Sequence, residues 1–365
     1  MKKIKIFDLK DQYKKIAKEV NKNVIDILSS GQYILGKNVK DLEEKFAKHV
    51  GSKYAISCNS GTDALLLSLR AMNVGKGDEV ITTPFTYFAT AEVIALVGAK
   101  PIFADINPHT FNINHKLIEK LITKKTKAVM PVHLFGQSCE ITEIRKLCKK
   151  YKIALIEDCA QSFGAKKENK YTGTFGDFGC YSFFPTKNLG CAGDGGMIVT
   201  NSIQKARTLQ KLRNHGGLIR NIHDYIGYNS RLDEIQASIL ITKLKIIDQI
   251  NKKRIKIAQK YKKLINNKII CVPYQKIGNY HVYNQFTLRV KRRKRFTSYL
   301  EKHSIPYGIY YPTPIYKQKA FDEYNYKYNL MNTEKITKEC ISIPMYPELD
   351  NNTIEYISEI INKYK

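Results

Sequence analysis

Acidic residues are scarce in this chain: 33 aspartates and glutamates stand against 61 lysines and arginines, a formal net charge of +28 over 365 residues. Such a surface attracts nucleic acid, anionic membranes or phosphorylated substrates. The lysines are nevertheless spread along the whole length and mixed with Ile, Asn and Tyr. With no concentrated basic tail and no recognisable binding module, a dedicated nucleic-acid function is not expected, only weak, salt-sensitive sticking. Long apolar runs are missing too. Stretches such as Ala154 to Ile156 or Ala89 to Val97 are broken by charges or stop short of the roughly 20 residues that span a bilayer, so no membrane helix is expected. The opening MKKIKIFDLKDQY lacks the apolar stretch of a secretory signal, which points to the cytoplasm. Cys58, Cys139, Cys148, Cys159, Cys180, Cys191, Cys271 and Cys340 form no CxxC pair, and buried reduced thiols are expected.

What is present reads as a folded soluble protein, with 43% hydrophobic and 26% charged residues. The length exceeds one ordinary core, and neither a repeat nor a low-complexity linker divides it. Short β-branched segments alternate with helical ones through the first two thirds, the pattern of a mainly parallel sheet covered by helices. Strands are expected at Tyr54 to Cys58, Glu79 to Thr82, Pro101 to Asp105, Ala128 to Val132, Ile153 to Asp158, Gly179 to Phe184 and Gly196 to Thr200. Helices are expected at Thr62 to Met72, Lys116 to Ile122 and Glu140 to Tyr151. From Asp233 a long helical pattern runs into a lysine-rich helix near Lys252 to Leu264, read as a bridge to a smaller α+β domain. That domain would hold a strand at Gln285 to Val290 and a closing helix at Thr353 to Lys363. The expected division is 1–245 and 246–365, with the N-terminal helix free to pack on the second unit.

Two segments end expected strands with chemistry: Ile153-Ala-Leu-Ile-Glu-Asp158 and Ser182-Phe-Phe-Pro-Thr-Lys187, the second running into a glycine-rich loop. Open α/β sheets bind ligands at strand ends. A partly desolvated amine, with a carboxylate to pair a protonated pyridine nitrogen, is what pyridoxal 5′-phosphate (PLP) chemistry needs. Taken singly, a strand-terminal aspartate also serves as a helix cap or metal ligand, and a lone lysine as a solvated side chain.

The ordered motifs SGTDAL, PFTYFATAE, VHLFGQ, IEDCAQSFGA, YSFFPTKNLGCAGDGG, NSRLDEIQA and YYPTPIYKQ, from Ser60 to Gln318, closely resemble the DegT/DnrJ/EryC1/StrS sugar aminotransferases. The resemblance implies an α/β, fold-type I aminotransferase. Its large domain would carry a mostly parallel seven-stranded sheet, beside a smaller α+β C-terminal domain. It also implies PLP as cofactor and a homodimer with shared active sites. Lys187 matches the lysine that binds the cofactor, and Asp158 the carboxylate facing the ring nitrogen, with Glu157 pointing to the other side of its strand. Gln161 resembles the contact to the ring hydroxyl, or a plain polar residue at a helix start. Gly61 and Thr62 lie where a turn feeds a helix amino terminus, which favours a phosphate. Ser182 resembles a further hydroxyl donor. Asn229 resembles a donor supplied by the neighbouring subunit, its alternative being a helix cap. Tyr87 matches a ring that stacks on the cofactor, or else a core aromatic.

His133 and His215 fall in family motifs without metal-ligand spacing, so no metal is expected. Many relatives carry a histidine at the position of Tyr316, a departure beside Tyr311 on the substrate side. The family's sugar dehydratases replace the lysine with histidine, so Lys187 implies transamination. L-glutamate would be the donor and a nucleotide-linked keto sugar the acceptor, first of all a dTDP-3-keto-6-deoxyhexose. A UDP-2-acetamido-3-keto-uronate is the alternative, with Arg220 and Lys317 available for its carboxylate. Further alternatives are a 4-keto sugar or a non-catalytic PLP-binding regulator.

Overall fold

A computed structural model describes residues 4–365. The strands in chain order are β1 (Tyr54–Cys58), β2 (Glu79–Thr82), β3 (Lys100–Phe103), β4 (Thr126–Met130), β5 (Ala154–Asp158), β6 (Lys166–Lys167), β7 (Lys170–Tyr171), β8 (Phe178–Ser182), β9 (Gly196–Thr200), β10 (Ile270–Cys271), β11 (Asn279–Tyr280), β12 (Phe286–Val290) and β13 (Cys340–Ile343). Seven form one sheet in the order β1-β9-β8-β5-β4-β2-β3. Only β9 runs antiparallel to its neighbours; the other adjacent pairs are parallel. This is the mostly parallel sheet that the alternating pattern implied. All five residues of β5 and of β9 are buried, because helices cover both faces of such a sheet and its central strands become continuous apolar runs. The edge strand β3 is closed by side chains. Tyr326 donates its hydroxyl to the Pro101 carbonyl at 2.5 Å, and Tyr328 accepts from the Phe103 N–H at 3.2 Å, which leaves less open edge for a foreign strand.

The long helical pattern that runs from Asp233 into the lysine-rich helix is two helices, Glu234–Leu244 and Ile247–Leu264, separated at Ile246 with φ −116° and ψ 4°. The apolar periodicity conceals the break because Leu240, Ile247 and Ile250 all bury against the same core. The second helix then carries Ile257, Ala258 and Tyr261 into a separate core built on β10, β12 and β13, so one rod serves both cores. Helix Lys10–Ser30 lies along Glu234–Leu244, with Glu19 accepting from Thr242 at 3.0 Å and pairing with Lys245 at 2.6 Å. It also reaches the C-terminal part through Lys15 and Glu348 at 3.0 Å. Cysteines are buried and free except Cys271, which is exposed, contrary to the uniform burial expected. Among the described residues no helix is long and apolar enough to cross a membrane.

Candidate active site

Asp158 ends β5, and strand alternation sends its side chain and that of Glu157 to opposite faces of the sheet. The two carboxylates therefore meet different fates. Glu157 accepts from the backbone N–H groups of Gly173 at 2.8 Å and of Phe175 and Gly176 at 2.7 Å, and pairs with His133 Nε2 at 2.9 Å. His133 Nδ1 accepts from the Cys139 N–H at 3.2 Å, which leaves Nε2 to donate. Although His133, Glu157 and Cys159 come within 4.8 Å of one another, both imidazole nitrogens and both carboxylate oxygens are occupied. Burial also pushes the Cys159 thiol far above its usual range. The group is a hydrogen-bonded hub locking loops to β5.

Asp158 faces the other way. Its Oδ2 accepts from the Thr90 hydroxyl at 2.9 Å and its Oδ1 from the Ala160 N–H at 3.0 Å, with Thr86 3.2 Å behind Thr90. Burial raises the Asp158 pKa, against the pull of these two donors and of Lys187. Lys187 sits on a turn after β8 that is closed by Cys191 N to Phe183 O at 2.8 Å and by Lys187 N to Phe184 O at 2.9 Å. Gly190 is needed there, since an added Cβ would stand 2.5 Å from the Pro185 carbonyl oxygen. The residue is only partly covered along its length, yet its amine is desolvated enough for burial to hold its pKa down to about 8, with Asp158 opposing. An amine with a pKa this close to physiological pH keeps a neutral, nucleophilic fraction there.

A third feature completes the pocket. Helix Gly61–Ala71 is capped by Ser60, whose hydroxyl accepts from the Asp63 N–H at 3.0 Å. The N–H groups of Gly61 and Thr62 have no partner among the described residues. A Cβ on Gly61 would stand 2.5 Å from Ser182 Cβ and 3.1 Å from its Oγ. Free amides, a helix dipole and a hydroxyl thus converge where no side chain fits, an anion site. Phosphate donors here, an aromatic nitrogen's partner at Asp158 and an amine at Lys187 fit pyridoxal 5′-phosphate.

Gln161 is no helix-start residue: its Oε1 accepts from the Phe135 N–H at 2.8 Å, and its Nε2 donates to the Tyr311 hydroxyl at 3.0 Å. Tyr311 is thereby joined to the same wall, with its ring centroid 6.4 Å from that of Tyr87. Tyr87 is 62% exposed, which excludes the core reading. Asn229 caps nothing, because the next helix takes Asp233 as its cap position; its side chain is exposed. Its neighbour Ser230 donates to Asp63 at 2.6 Å and accepts from the Asn59 N–H at 3.2 Å, which ties this segment to the turn that opens helix Gly61–Ala71. Two expected substrate residues are not brought into this group. Tyr316 is buried against Phe103 and Tyr328, with its hydroxyl on Glu334 at 2.9 Å. Arg220 is exposed on the loop of Leu218, Ile219, Ile222 and Ile226. His215, with φ 56°, offers its carbonyl to His223 Nδ1 at 2.8 Å. Thr90 was missed by sequence reasoning although it stands inside PFTYFATAE, because the motif does not say which of its hydroxyls faces a strand end.

A family model described as the DegT/DnrJ/EryC1/StrS aminotransferase family matches residues 14–362. The chain is 42% identical to the UDP-2-acetamido-2-deoxy-3-oxo-D-glucuronate aminotransferase of Pseudomonas aeruginosa, over 97% of this chain and 98% of the relative. It is 41% identical to the dTDP-3-amino-3,6-dideoxy-alpha-D-galactopyranose transaminase of Aneurinibacillus thermoaerophilus, over 99% of each. A protein called pleiotropic regulatory protein, from Geobacillus stearothermophilus, is 41% identical over 99% of this chain and 98% of its own. Among solved structures, S. venezuelae DesV in complex with a ketimine intermediate superposes with a TM-score of 0.97 at 32% identity, covering 100% of this chain and 98% of that one.

Proposed function

Because the chain belongs to the DegT/DnrJ/EryC1/StrS aminotransferase family, we propose that Lys187, Asp158 and the Gly61 cradle transfer an amino group from L-glutamate to a 3-keto sugar held on a nucleotide. The protein is a PLP-dependent aminotransferase of the sugar-nucleotide type. The observation that carries the residue assignment is the Lys187 amine, on the turn that Gly190 permits, desolvated so that its pKa falls to about 8 while the charge of Asp158 opposes the fall.

When bound, the cofactor supplies an electron sink through which an amino group passes from amino acid to ketone. The N–H groups of Gly61 and Thr62 and the hydroxyl of Ser182 hold its phosphate, and Tyr87 and Gln161 bound its ring. Asp158, whose anionic form Thr90 and the Ala160 N–H favour against burial, would hold the ring nitrogen protonated. Lys187 Nζ anchors the cofactor. The same amine would carry a proton from the glutamate α-carbon and, in the second half, deliver one to the sugar carbon.

The acceptor is a dTDP-3-keto-6-deoxyhexose on this reading. Lys317, in the motif that holds Tyr311 and Tyr316, is paired with Glu334 at 2.8 Å, a pair that a sugar carboxylate would have to replace. The second reading, a UDP-2-acetamido-3-keto-uronate, is supported by the Pseudomonas relative. The enzyme works as a dimer: Leu218, Ile219, Ile222 and Ile226, the last 87% exposed, form an apolar loop that a second copy would cover, with Asn229 reaching the partner's phosphate. Purified holoenzyme tests this reading. Glutamate should bleach its visible cofactor band, and a panel of keto sugars should restore the band, the dTDP-3-keto-6-deoxyhexose fastest. A band indifferent to glutamate would contradict it.

A further inference from the structure

The residue after Lys187 makes none of its side-chain hydrogen bonds within its own turn. Asn188 Nδ2 donates to Asn251 Oδ1 at 2.7 Å and to the Val282 carbonyl at 3.2 Å, and its Oδ1 accepts from Asn284 Nδ2 at 2.9 Å. All three asparagines are buried, at 3%, 2% and 2% exposure. They come from three different elements: the Lys187 turn, helix Ile247–Leu264 that runs between the two cores, and the segment leading into β12. The partners are themselves fixed. Asn251 Nδ2 donates to the Phe163 carbonyl at 3.2 Å, while the Asn284 N–H bonds to Phe135 O at 2.9 Å and the Val282 N–H to Gly136 O at 3.0 Å. Arg254, one turn along the helix, donates to the carbonyls of Tyr283 at 3.3 Å and Met345 at 2.9 Å. The close fit is visible at Gly164, where an added Cβ would stand 2.3 Å from Asn251 Nδ2.

We infer that Asn188 is a positioning residue: through Asn251 and Asn284 it fastens the turn bearing Lys187 to the bridging helix and to the entry of β12. Placement of the amine therefore depends on the bridging helix and the entry of β12, although neither needs to touch the cofactor. Buried amide pairs of this kind suit the task because they are directional, and a displaced partner leaves an unpaired polar group. The inference rests on Lys187 being the cofactor-binding amine. Asp158 is the charged group acting on that amine, and it lies outside the triad, so cutting the triad leaves the local charges in place.

The test compares Asn188→Ala and Asn284→Ala with Phe296→Leu, a substitution in the second core outside the triad. Asn284→Ala removes one side-chain donor and leaves the backbone bonds of residue 284 intact, so it decides the matter if Asn188→Ala fails to fold. Two quantities are read on the full chain: the pKa of the Lys187 amine after cofactor removal, by competitive acetylation and peptide mass spectrometry, and the rate of cofactor release from the holoenzyme. The triad variants should raise the amine pKa by about one unit or more, as a loosened turn readmits water, and speed cofactor release at least about tenfold, which corresponds to one hydrogen bond of about 1.4 kcal/mol. Phe296→Leu should lower the melting temperature and change neither. A triad that only stabilises the fold would lower the melting temperature and leave both quantities at wild-type values, which overturns the inference. Lys187→Ala separates this from the underlying assignment: if that variant turns over normally, it is the identity of the lysine that has failed.

Discussion

The Thr90 hydroxyl donates to Asp158 Oδ2 at 2.9 Å on the face of β5 opposite the Glu157 hub. Burial favours the protonated carboxyl, whereas this donor, the Ala160 N–H and Lys187 favour the anion. Thr90→Val keeps the shape and removes the hydroxyl, so the Asp158 pKa should rise further. The acid limb of the kcat–pH profile should move up by about one unit, the worth of a hydrogen bond to a charged group, and activity should be lost at pH 6 before it is lost at pH 8. Superimposable profiles would remove Thr90 from the account.

Gly61→Ala should act on the cofactor more than on the fold. The new methyl stands 2.5 Å from Ser182 Cβ, so it must displace the Ser182 donor or the helix terminus that offers the Gly61 and Thr62 amides. Loss of one or two phosphate contacts costs about 1–3 kcal/mol, or roughly ten- to hundredfold in PLP affinity by equilibrium dialysis, with a smaller loss of stability in the cofactor-free chain from the displaced Ser182.

The Lys187 amine also leaves a mark on stability. Its folded pKa is about 8, below the ordinary value of 10.5 expected in the unfolded chain. Between those values the unfolded chain holds a proton that the folded chain has shed, so this group makes cofactor-free protein more stable as pH rises from about 8 to 10.5. Lys187→Met removes the cost of burying a charge and leaves Asp158 without its cation, a partial offset. Denaturation of cofactor-free protein should show a gain on the order of 1 kcal/mol at pH 7, which fades above pH 10.

Glu157→Gln should do the reverse of a catalytic lesion. The carboxylate accepts three backbone N–H groups and the His133 ring, and an amide nitrogen placed against those donors leaves one unsatisfied. Stability should fall by about 2–4 kcal/mol in urea, while the activity of the molecules that remain folded stays within a few-fold of wild type. Asp158→Asn should show the opposite division.

The end of β5 was legible because chemistry and local pattern coincide there: the run Ala-Leu-Ile before Glu157 and Asp158 is apolar in sequence and buried, whereas β3, β4 and β8 end at Phe103, Met130 and Ser182, each two residues before the expected end, because the apolar run continues past the last ladder bond. Contacts between distant segments had no such signal. Asn188 meets Asn251 and Asn284 across 63 and 96 positions, and nothing local separates three structural asparagines from surface ones. The same holds for Thr90, 68 positions from Asp158. The break at Ile246 was hidden for the opposite reason, since apolar spacing persists on both sides of it. Tyr316 fell to tertiary context, its ring being taken by Phe103 and its hydroxyl by Glu334.

The central claim is that Lys187 carries amino transfer from glutamate to a nucleotide-linked 3-keto sugar. Holoenzyme incubated with ¹⁵N-labelled L-glutamate and a dTDP-3-keto-6-deoxyhexose, followed by mass spectrometry of the nucleotide sugar, tests it directly. The expected result is one ¹⁵N per sugar with matching 2-oxoglutarate, and a loss of at least about a thousandfold in Lys187→Ala, in line with the removal of nucleophile and proton carrier together. Unlabelled sugar across a panel of dTDP- and UDP-linked keto sugars, or equal labelling by Lys187→Ala, would contradict it.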